Sequence, residues 1–241
     1  MLIAERNALL GEPPYTAKSY VQDGLVAMWD GIENAGWGKH DANATGWKDL
    51  VGTRDFSLVA NKAYFEDNAF YSNITTESQD YSAIVDWTSP PTVNSLEICF
   101  MAVSYPYKTE AILLNNNCGT ATGTDSITMP FFACGWHSWV LGNAYFGTGP
   151  SGCVEPGVGC SFSCGRTKTS VFVNNNPYSY NSNKALYIFG ISNKLLIGNR
   201  TYYGSRSFHG RIYSIRLYSR ALSASEIAAN YAIDKERFNL P

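Results

Sequence analysis

The sequence predicts an all-β fold, an antiparallel β-sandwich of the jelly-roll type with one short C-terminal helix. Short runs of apolar, β-branched and aromatic residues follow one another along most of the 241 residues, with turn residues between them. An α/β fold would need helical periods between these runs, and none is visible. The 16 Tyr, 12 Phe and 6 Trp residues also favour strands.

The predicted strands are short, and Asn-rich or Gly-rich turns separate them. They cover residues 24–29, 56–58, 96–103, 111–114, 126–134, 138–141, 170–173, 185–191, 195–197 and 211–218. We see no linker, low-complexity tract or internal repeat after residue 19. Residues 20–241 are therefore expected to form one domain, with many short strands in the jelly-roll manner.

The last predicted strand lies in the stretch GRIYSIRLYSRAL. Its residues alternate, with Tyr213, Ile215 and Leu217 on one face and Ser214 and Arg216 on the other. This is the period of a half-buried strand, so we expect the first three side chains in the core and the other two outside it.

A helix is predicted directly after this strand. Ser223 and Glu226 have the spacing of a capping box, in which each side chain bonds the backbone N–H of the other residue. Ile227 and Tyr231 follow four residues apart, on one helical face. We expect the helix to dock by that single stripe.

The first 19 residues are interpreted as an arm outside the sandwich. A short amphipathic piece is followed by a Gly11 and Pro13–Pro14 break. Its apolar residues are Leu2, Ile3, Leu9 and Leu10. Residues 1–19 are expected to dock on a neighbouring subunit, giving a homo-oligomer, or on virion proteins.

Composition argues against several classes of function. The net charge is −2 and no basic run exceeds two residues, so nucleic-acid binding is not expected. No apolar run approaches the ~20 residues of a membrane span, so no membrane insertion is expected. Glu5 and Arg6 interrupt the apolar start, which argues against a secretion signal. We expect synthesis in the cytoplasm, with lysis as a route to a virion or cell surface.

Both ends of the chain resemble one family. The opening DGLVAMWDG…WKDLVGTRDFSL resembles that of laminin-G-like, concanavalin A-like jelly-roll domains. The ending KLLIGNR…FHGRIYSIRLYSRALSASEIAANY resembles the end of the same family. The resemblance brackets residues 20–238, whereas residues 71–193 match nothing. It implies that the last strand lies beside the first and that the helix packs across the sandwich edge. The opening also resembles chains encoded by gut Bacteroidota and their phages.

The resemblance raises the question of catalysis, because glucanases share this fold. Such enzymes carry carboxylates at alternating strand positions, so that a nucleophile and an acid face one substrate. Here Glu97 is followed by Cys99 and Met101 at those positions. The three histidines, His40, His137 and His209, have no G-x-S-x-G motif beside them. We therefore expect no catalytic residues and no enzyme.

A calcium site is one interpretation of four oxygen-bearing side chains, because Asp and Asn oxygens suit calcium. They are Asp30, Asp41, Asn43 and Asp49. The alternative is that these side chains cap their own backbone in Asx-turns. For Asp49, which occupies the Asp position of the family pattern, a structural hydrogen bond is favoured. The six cysteines leave free thiols, a disulfide and a zinc site open as alternatives.

Candidate glycan-binding residues lie in three aromatic stretches that also contain amides or hydroxyls. They are Trp136, His137 and Trp139; Tyr178 and Tyr180; and Tyr202 and Tyr203. Flat rings beside amides suit neutral, hydroxyl-rich ligands, but the same residue types suit protein surfaces equally well.

The first hypothesis is therefore a non-catalytic, lectin-like protein that binds glycans of a bacterial or host surface and is exposed on a phage virion or bacterial surface. The alternative is a structural virion component, such as a head, fibre or decoration protein, that makes mainly protein contacts. A divergent glycoside hydrolase is a remote third.

Overall fold

The computed structural model describes part of the chain, in fifteen segments. These are residues 15–66, 68–75, 81–86, 91, 93, 95–104, 110–115, 132–135, 139–141, 144–146, 161–166, 171–173, 175–178, 194–198 and 208–240.

Strands dominate these residues. In chain order they are β1 Leu25–Asp30, β2 Gly46–Trp47, β3 Phe56–Leu58, β4 Ala63–Glu66, β5 Ala69–Asn73, β6 Tyr81–Asp86, β7 Ser95–Ser104, β8 Glu110–Asn115, β9 Phe132–Gly135, β10 Trp139–Leu141, β11 Ala144–Phe146, β12 Ser161–Arg166, β13 Val171–Val173, β14 Asn176–Tyr178, β15 Lys194–Gly198 and β16 His209–Tyr218. A 3-10 turn, Ala17–Ser19, precedes β1, and the helix α1, Ala224–Phe238, follows β16.

Two antiparallel sheets form a sandwich, which confirms the predicted fold class. Sheet A has the order β14-β13-β12-β7-β16-β5-β4, with β1 also paired to β16. Sheet B has the order β11-β10-β9-β8-β15-β6-β3-β2. The first and last strands lie side by side, Trp29 opposite Ile215, as the resemblance implied.

Aromatic side chains fill the space between the sheets. The ring of Trp29 on β1 lies 4.8 Å from that of Phe56 on β3. Trp47 on β2 stacks on Phe70 of β5 with ring centroids 5.1 Å apart. All four side chains are fully buried. Each indole N–H donates to a backbone carbonyl, Trp29 to Arg54 and Trp47 to Asp30, so burial leaves neither polar group unpaired.

A bulge in β16 corrects the prediction for that strand. Arg211 lies opposite Met101 and Arg216 opposite Glu97, so six residues of β16 face five of β7. The extra residue is Tyr213, which packs on Phe238 of α1 instead of pointing between the sheets. The alternating pattern placed Tyr213 with Ile215 because periodicity alone cannot show a bulge.

The helix begins at the predicted capping box. The Glu226 N–H donates to the Ser223 hydroxyl at 3.3 Å, and the Ser223 N–H donates to the Glu226 carboxylate at 2.8 Å. The helix ends at Asn239, whose left-handed backbone (φ 51°) stops further helical bonding. Ile227 is buried as expected, but its partners on the buried stripe include the polar residues Asn230 and Asp234.

Part of the predicted arm packs with the domain. Ala17 and Tyr20 are buried in one cluster with side chains of α1 and β16. The Ala17 N–H also donates to the Glu33 carboxylate at 2.6 Å. Residues 15–19 are thus fixed to the sandwich, and residues 1–14 of the arm lie outside the described residues.

Within the described segments, no helix combines the length and the apolar character needed to cross a bilayer.

Candidate functional site

The face of sheet A that points away from sheet B has two regions. Helix α1 covers the part formed by β1, β7 and the second half of β16, where Arg216 and Glu97 lie. The part formed by β4, β5 and the start of β16 carries Tyr64, Tyr71 and Arg211. Both regions are built around an arginine of β16, and they differ in exposure.

The covered region is a buried polar network, here called the helix clamp: Tyr20, Glu97, Arg216, Asn230 and Asp234. Arg216 donates to Asp234 through both terminal nitrogens, at 2.7 and 2.8 Å, and to Glu97 through Nε at 2.8 Å. Asn230 donates to the same Glu97 oxygen at 2.7 Å. The Tyr20 hydroxyl donates to Asp234 at 2.7 Å, and its ring lies 4.1 Å from the guanidinium carbon of Arg216.

A second arginine extends this network toward the helix end. Arg237 donates to Asp30 through Nη1 at 2.5 Å and through Nη2 at 3.1 Å. Its Nη2 also lies 3.2 Å from Glu33. The Asp30 carboxylate accepts from the backbone N–H groups of Ile32 and Glu33 as well. These contacts fasten the loop after β1 to α1.

The helix clamp is a structural element, because solvent does not reach it. The Arg216 and Asp234 side chains have 0% exposure and Glu97 has 3%. Burial raises the pKa of Glu97, and the nearby Arg216 opposes this rise. These carboxylates cannot contact a substrate, so they do not form an acid–nucleophile pair of the glycosidase kind.

The uncovered region is an aromatic surface, here called the Tyr64 platform: Tyr64, Glu66, Tyr71, His209 and Arg211. Tyr64 and Tyr71 are cross-strand partners, and their rings stack with centroids 5.0 Å apart. The guanidinium carbon of Arg211 lies 5.1 Å from the centre of the Tyr71 ring. Three flat groups thus lie side by side on three neighbouring strands.

Ionic and hydrogen bonds fix the platform's orientation. Arg211 donates to Glu66 through Nε, and through Nη2 at 3.1 Å. The Tyr71 hydroxyl and His209 Nε2 share a hydrogen bond of 2.9 Å. Burial, and to a smaller degree Arg211, lowers the pKa of His209, which favours the neutral form of its imidazole. Arg211 and Glu66 form an ion pair, so their two charges offset each other.

Tyr64 is the exposed end of this stack. It is 44% exposed, although large hydrophobic side chains of the described chain are mostly buried. One ring face lies against Tyr71, and β4 is the terminal strand of sheet A in the described chain, so the other face points away from the sheet. An aromatic ring held by a neighbour offers a flat apolar surface at little cost in entropy.

A groove runs along the edge beside Tyr64. Its volume is about 300 Å³. It is lined by Ala42, Asn43, Ala44, Thr45, Leu58, Val59, Ala60, Ala63 and Tyr64. The exposed Asn43 and Thr45 bring an amide and a hydroxyl to a mainly apolar wall. We call this the edge groove.

A second cavity, of about 350 Å³, lies between the start of the described chain and the end of α1. Tyr15, Ile32, His40 and Arg237 are among its lining residues. Its arginine is already bound to Asp30 and Glu33. Its lining also includes the carboxylates of Glu33 and Glu236.

The glycan-binding residues predicted from the sequence are not tested by the structure. Trp139 begins β10 and Tyr178 ends β14, and the structure describes only the backbone there. The others, Trp136, His137, Tyr180, Tyr202 and Tyr203, lie outside the described residues.

The four calcium candidates have separate roles in the described contacts. Asp30 binds Arg237, and Asp41 accepts from the backbone N–H of Asn43 at 2.9 Å, an Asx-turn. Asp49 accepts from the N–H groups of Met28 and Val51, each through Oδ1. No group of three or more His, Cys, Asp or Glu side chains in the described segments could hold a metal ion. Calcium binding stays a prediction from the sequence.

No protein-family model matches the chain, and no curated protein matches it. Solved structures do resemble it. A sialidase of Trypanosoma rangeli in complex with sialic acid is 16% identical, with a TM-score of 0.60, and the match covers 88% of this chain and 33% of that one. The botulinum neurotoxin serotype D binding domain is 14% identical, with a TM-score of 0.57, and the match covers 87% and 52%.

At these identities the similarity shows the fold alone, a β-sandwich. The chain spans between 33% and 52% of the length of these two neighbours. The finer resemblance to laminin-G-like domains, and the link to Bacteroidota and their phages, stay predictions from the sequence.

The sequence interpretation missed the Tyr64 platform, although a signal was present. In AYFEDNAFYSN the residues alternate, with Tyr64 and Glu66 on one face and Phe65 on the other. Glu66 pairs with Ala69, so only two residues connect β4 and β5. An Asp-Asn pair between two aromatic, alternating runs is a hairpin signal that could have located both strands.

Proposed function

We propose that this protein is a non-catalytic, lectin-like β-sandwich that binds glycans at the Tyr64 platform and the edge groove. The observation that carries the proposal is the Tyr64 ring. It is 44% exposed and stacked on Tyr71 at 5.0 Å, beside a groove of about 300 Å³. A preformed, mostly apolar concavity with a few polar groups is the usual form of a small-ligand site.

The chemistry of the platform suits a sugar ring. The C–H bonds on one side of a pyranose are weakly positive and can lie against the negative face of an aromatic ring. Its hydroxyl groups need donors and acceptors at the rim, which Arg211, Glu66 and Asn43 supply. Platform and groove share Tyr64, so an oligosaccharide could contact both surfaces.

The structural neighbours support only the fold class of the proposal, a β-sandwich. One is a sialidase in complex with sialic acid and another is a toxin binding domain, and at 14–16% identity neither assigns a ligand to this chain. Adhesion at a virion or bacterial surface remains part of the proposal on the strength of the sequence resemblance. The structural virion role and the divergent hydrolase are its alternatives.

The test is glycan-array binding by the full chain, followed by calorimetry with the best oligosaccharide. Tyr64→Ala is expected to weaken binding roughly tenfold or more, because the stacking surface is lost. Tyr64→Phe keeps the ring and should bind nearly as well as the wild type. Val51→Ala is the matched control, because Val51 is also a large exposed hydrophobic residue (41%).

Other outcomes would overturn the proposed site. If binding survives Tyr64→Ala but is lost in Trp136→Ala or Tyr178→Ala, the ligand binds at the residues predicted from the sequence instead. A blank array, with calcium and with a chelator, would contradict glycan binding and favour the structural role. Loss of binding only in the chelator would show that a divalent cation takes part in binding.

A further inference from the structure

The charge of the Tyr64 platform limits the ligands that it can bind. Arg211 is the arginine of the platform, and its Nε and Nη2 already donate to Glu66. The Arg211 and Glu66 side chains are each 29% exposed, so a ligand can reach the pair. In this pair Arg211 is the hydrogen-bond donor and Glu66 the acceptor, and the positive charge of one offsets the negative charge of the other.

Each member of this pair keeps capacity for a further hydrogen bond. The two bonds to Glu66 leave Nη1 of Arg211 outside the ion pair. Each Glu66 oxygen accepts one bond from Arg211, and a carboxylate has about four acceptor positions in all. Stacking on Tyr71 and pairing with Glu66 hold the guanidinium in place.

We propose that the platform selects uncharged, hydroxyl-rich glycans over acidic ones. This inference rests on the proposed function and deepens it by naming the ligand class. A sugar hydroxyl both donates and accepts, so neighbouring hydroxyls can donate to Glu66 and accept from Arg211 without disturbing the pair. A carboxylate or sulfate can only accept, and beside Glu66 it meets a like charge.

The variant Glu66→Gln tests this preference, because it should weaken binding of uncharged glycans and strengthen binding of acidic ones. Glutamine keeps the size of the side chain but leaves Arg211 as an uncompensated, part-exposed cation. We expect the variant to bind the uncharged oligosaccharide about tenfold more weakly, because a hydrogen bond to a charged acceptor is lost. It should gain binding to acidic counterparts, which the wild type binds at least about tenfold more weakly than the neutral sugar.

The array for this test contains uncharged oligosaccharides beside their sialylated, uronic-acid and sulfated counterparts. The matched control is the double variant Glu66→Gln/Arg211→Gln. The side chains at both positions are then uncharged, so this variant should not gain binding to acidic glycans. Circular dichroism of each variant checks that the fold is kept.

The outcomes separate this inference from the proposed function. Binding of acidic glycans by the wild type as strongly as neutral ones would overturn the selectivity and leave glycan binding intact. The same conclusion follows if Glu66→Gln leaves the neutral-to-acidic ratio unchanged. If the wild type binds no glycan of either kind, the proposed function itself fails.

Discussion

Arg211 and Arg216 lie five residues apart on β16 and on the same side of sheet A, and each binds a carboxylate and stacks on a tyrosine. Arg216 has 0% exposure beneath α1, with Tyr20 as its stacking partner. Arg211 is 29% exposed beyond the helix, with Tyr71 as its partner. The same arrangement of arginine, carboxylate and tyrosine therefore occurs twice, once buried and once exposed to solvent.

The bulge in β16 places both arginines on the same face of sheet A. In a regular strand, residues five apart point to opposite faces, so Arg211 would point between the sheets. The extra residue at Tyr213 returns both arginines to the outer face. One part of that face then receives the helix and the other part remains available to a ligand.

The difference between the regions shows what burial does to an ion pair. In the helix clamp the paired charges have lost their hydration, so removing one partner leaves the others unpaired in a dry environment. In the Tyr64 platform, water still reaches both partners and can replace either of them. The sealed arginine should therefore matter for stability, and the open one for recognition.

The largest effect is expected for the sealed arginine. Arg216→Met should lower the free energy of unfolding by about 3–5 kcal/mol, because Glu97 and Asp234 would remain buried without their cation. Arg211→Met should lower it by about 1 kcal/mol or less, because its pair is part-exposed. Urea denaturation followed by circular dichroism measures both.

Arg216→Lys controls for charge, since it keeps the cation but loses the planar fork that binds Asp234 through two nitrogens. An intermediate loss is expected. Equal losses for the Arg216→Met and Arg211→Met variants would contradict the view that burial separates the two regions.

A smaller effect is expected at the two tyrosines. Tyr20→Phe keeps the ring against Arg216 but removes the hydroxyl that donates to Asp234, a hydrogen bond to a charged group worth about 1.5–3 kcal/mol. Tyr71→Phe removes a part-exposed bond to His209 and should cost under about 1 kcal/mol. Unfolding of the two variants under the same conditions gives the comparison directly. A greater loss in Tyr71→Phe would mean that the platform also supports the fold.

Much of this architecture could be predicted from local patterns, and the remainder depends on contacts distant in sequence. The capping box at Ser223 and the pairing of the last strand with the first are both present as expected. These features rest on residues that are close together in the chain or on a family pattern.

The buried charges could not be found in this way. Ser214 and Arg216 were expected outside the core, yet both are fully buried. Arg216 is stabilised by Glu97, 119 residues away, and by Asp234 on the helix. Alternation shows which residues share a face, but it cannot show that a helix covers that face.

The smallest effect on the free energy of unfolding is expected for a third arginine–glutamate pair. Its exposure resembles that of Arg211 and Glu66, but its carboxylate also accepts a backbone N–H. Arg220, in the turn before α1, and Glu226, in the first turn of α1, are 32% and 29% exposed, much like Arg211 and Glu66. Glu226 also accepts the Ser223 N–H, and the hydrogen bonds from Arg220 and Ser223 lower its pKa from 4.5 to about 2.

A depressed folded-state pKa contributes stability above pH 4.5 that is lost as the pH falls toward 2. Glu226→Gln should therefore cost about 1 kcal/mol or less at pH 7, and the difference from the wild type should vanish near pH 2. Urea unfolding across this range tests it, and a difference that persists at pH 2 would show that the carboxylate's charge is not what stabilises the helix start.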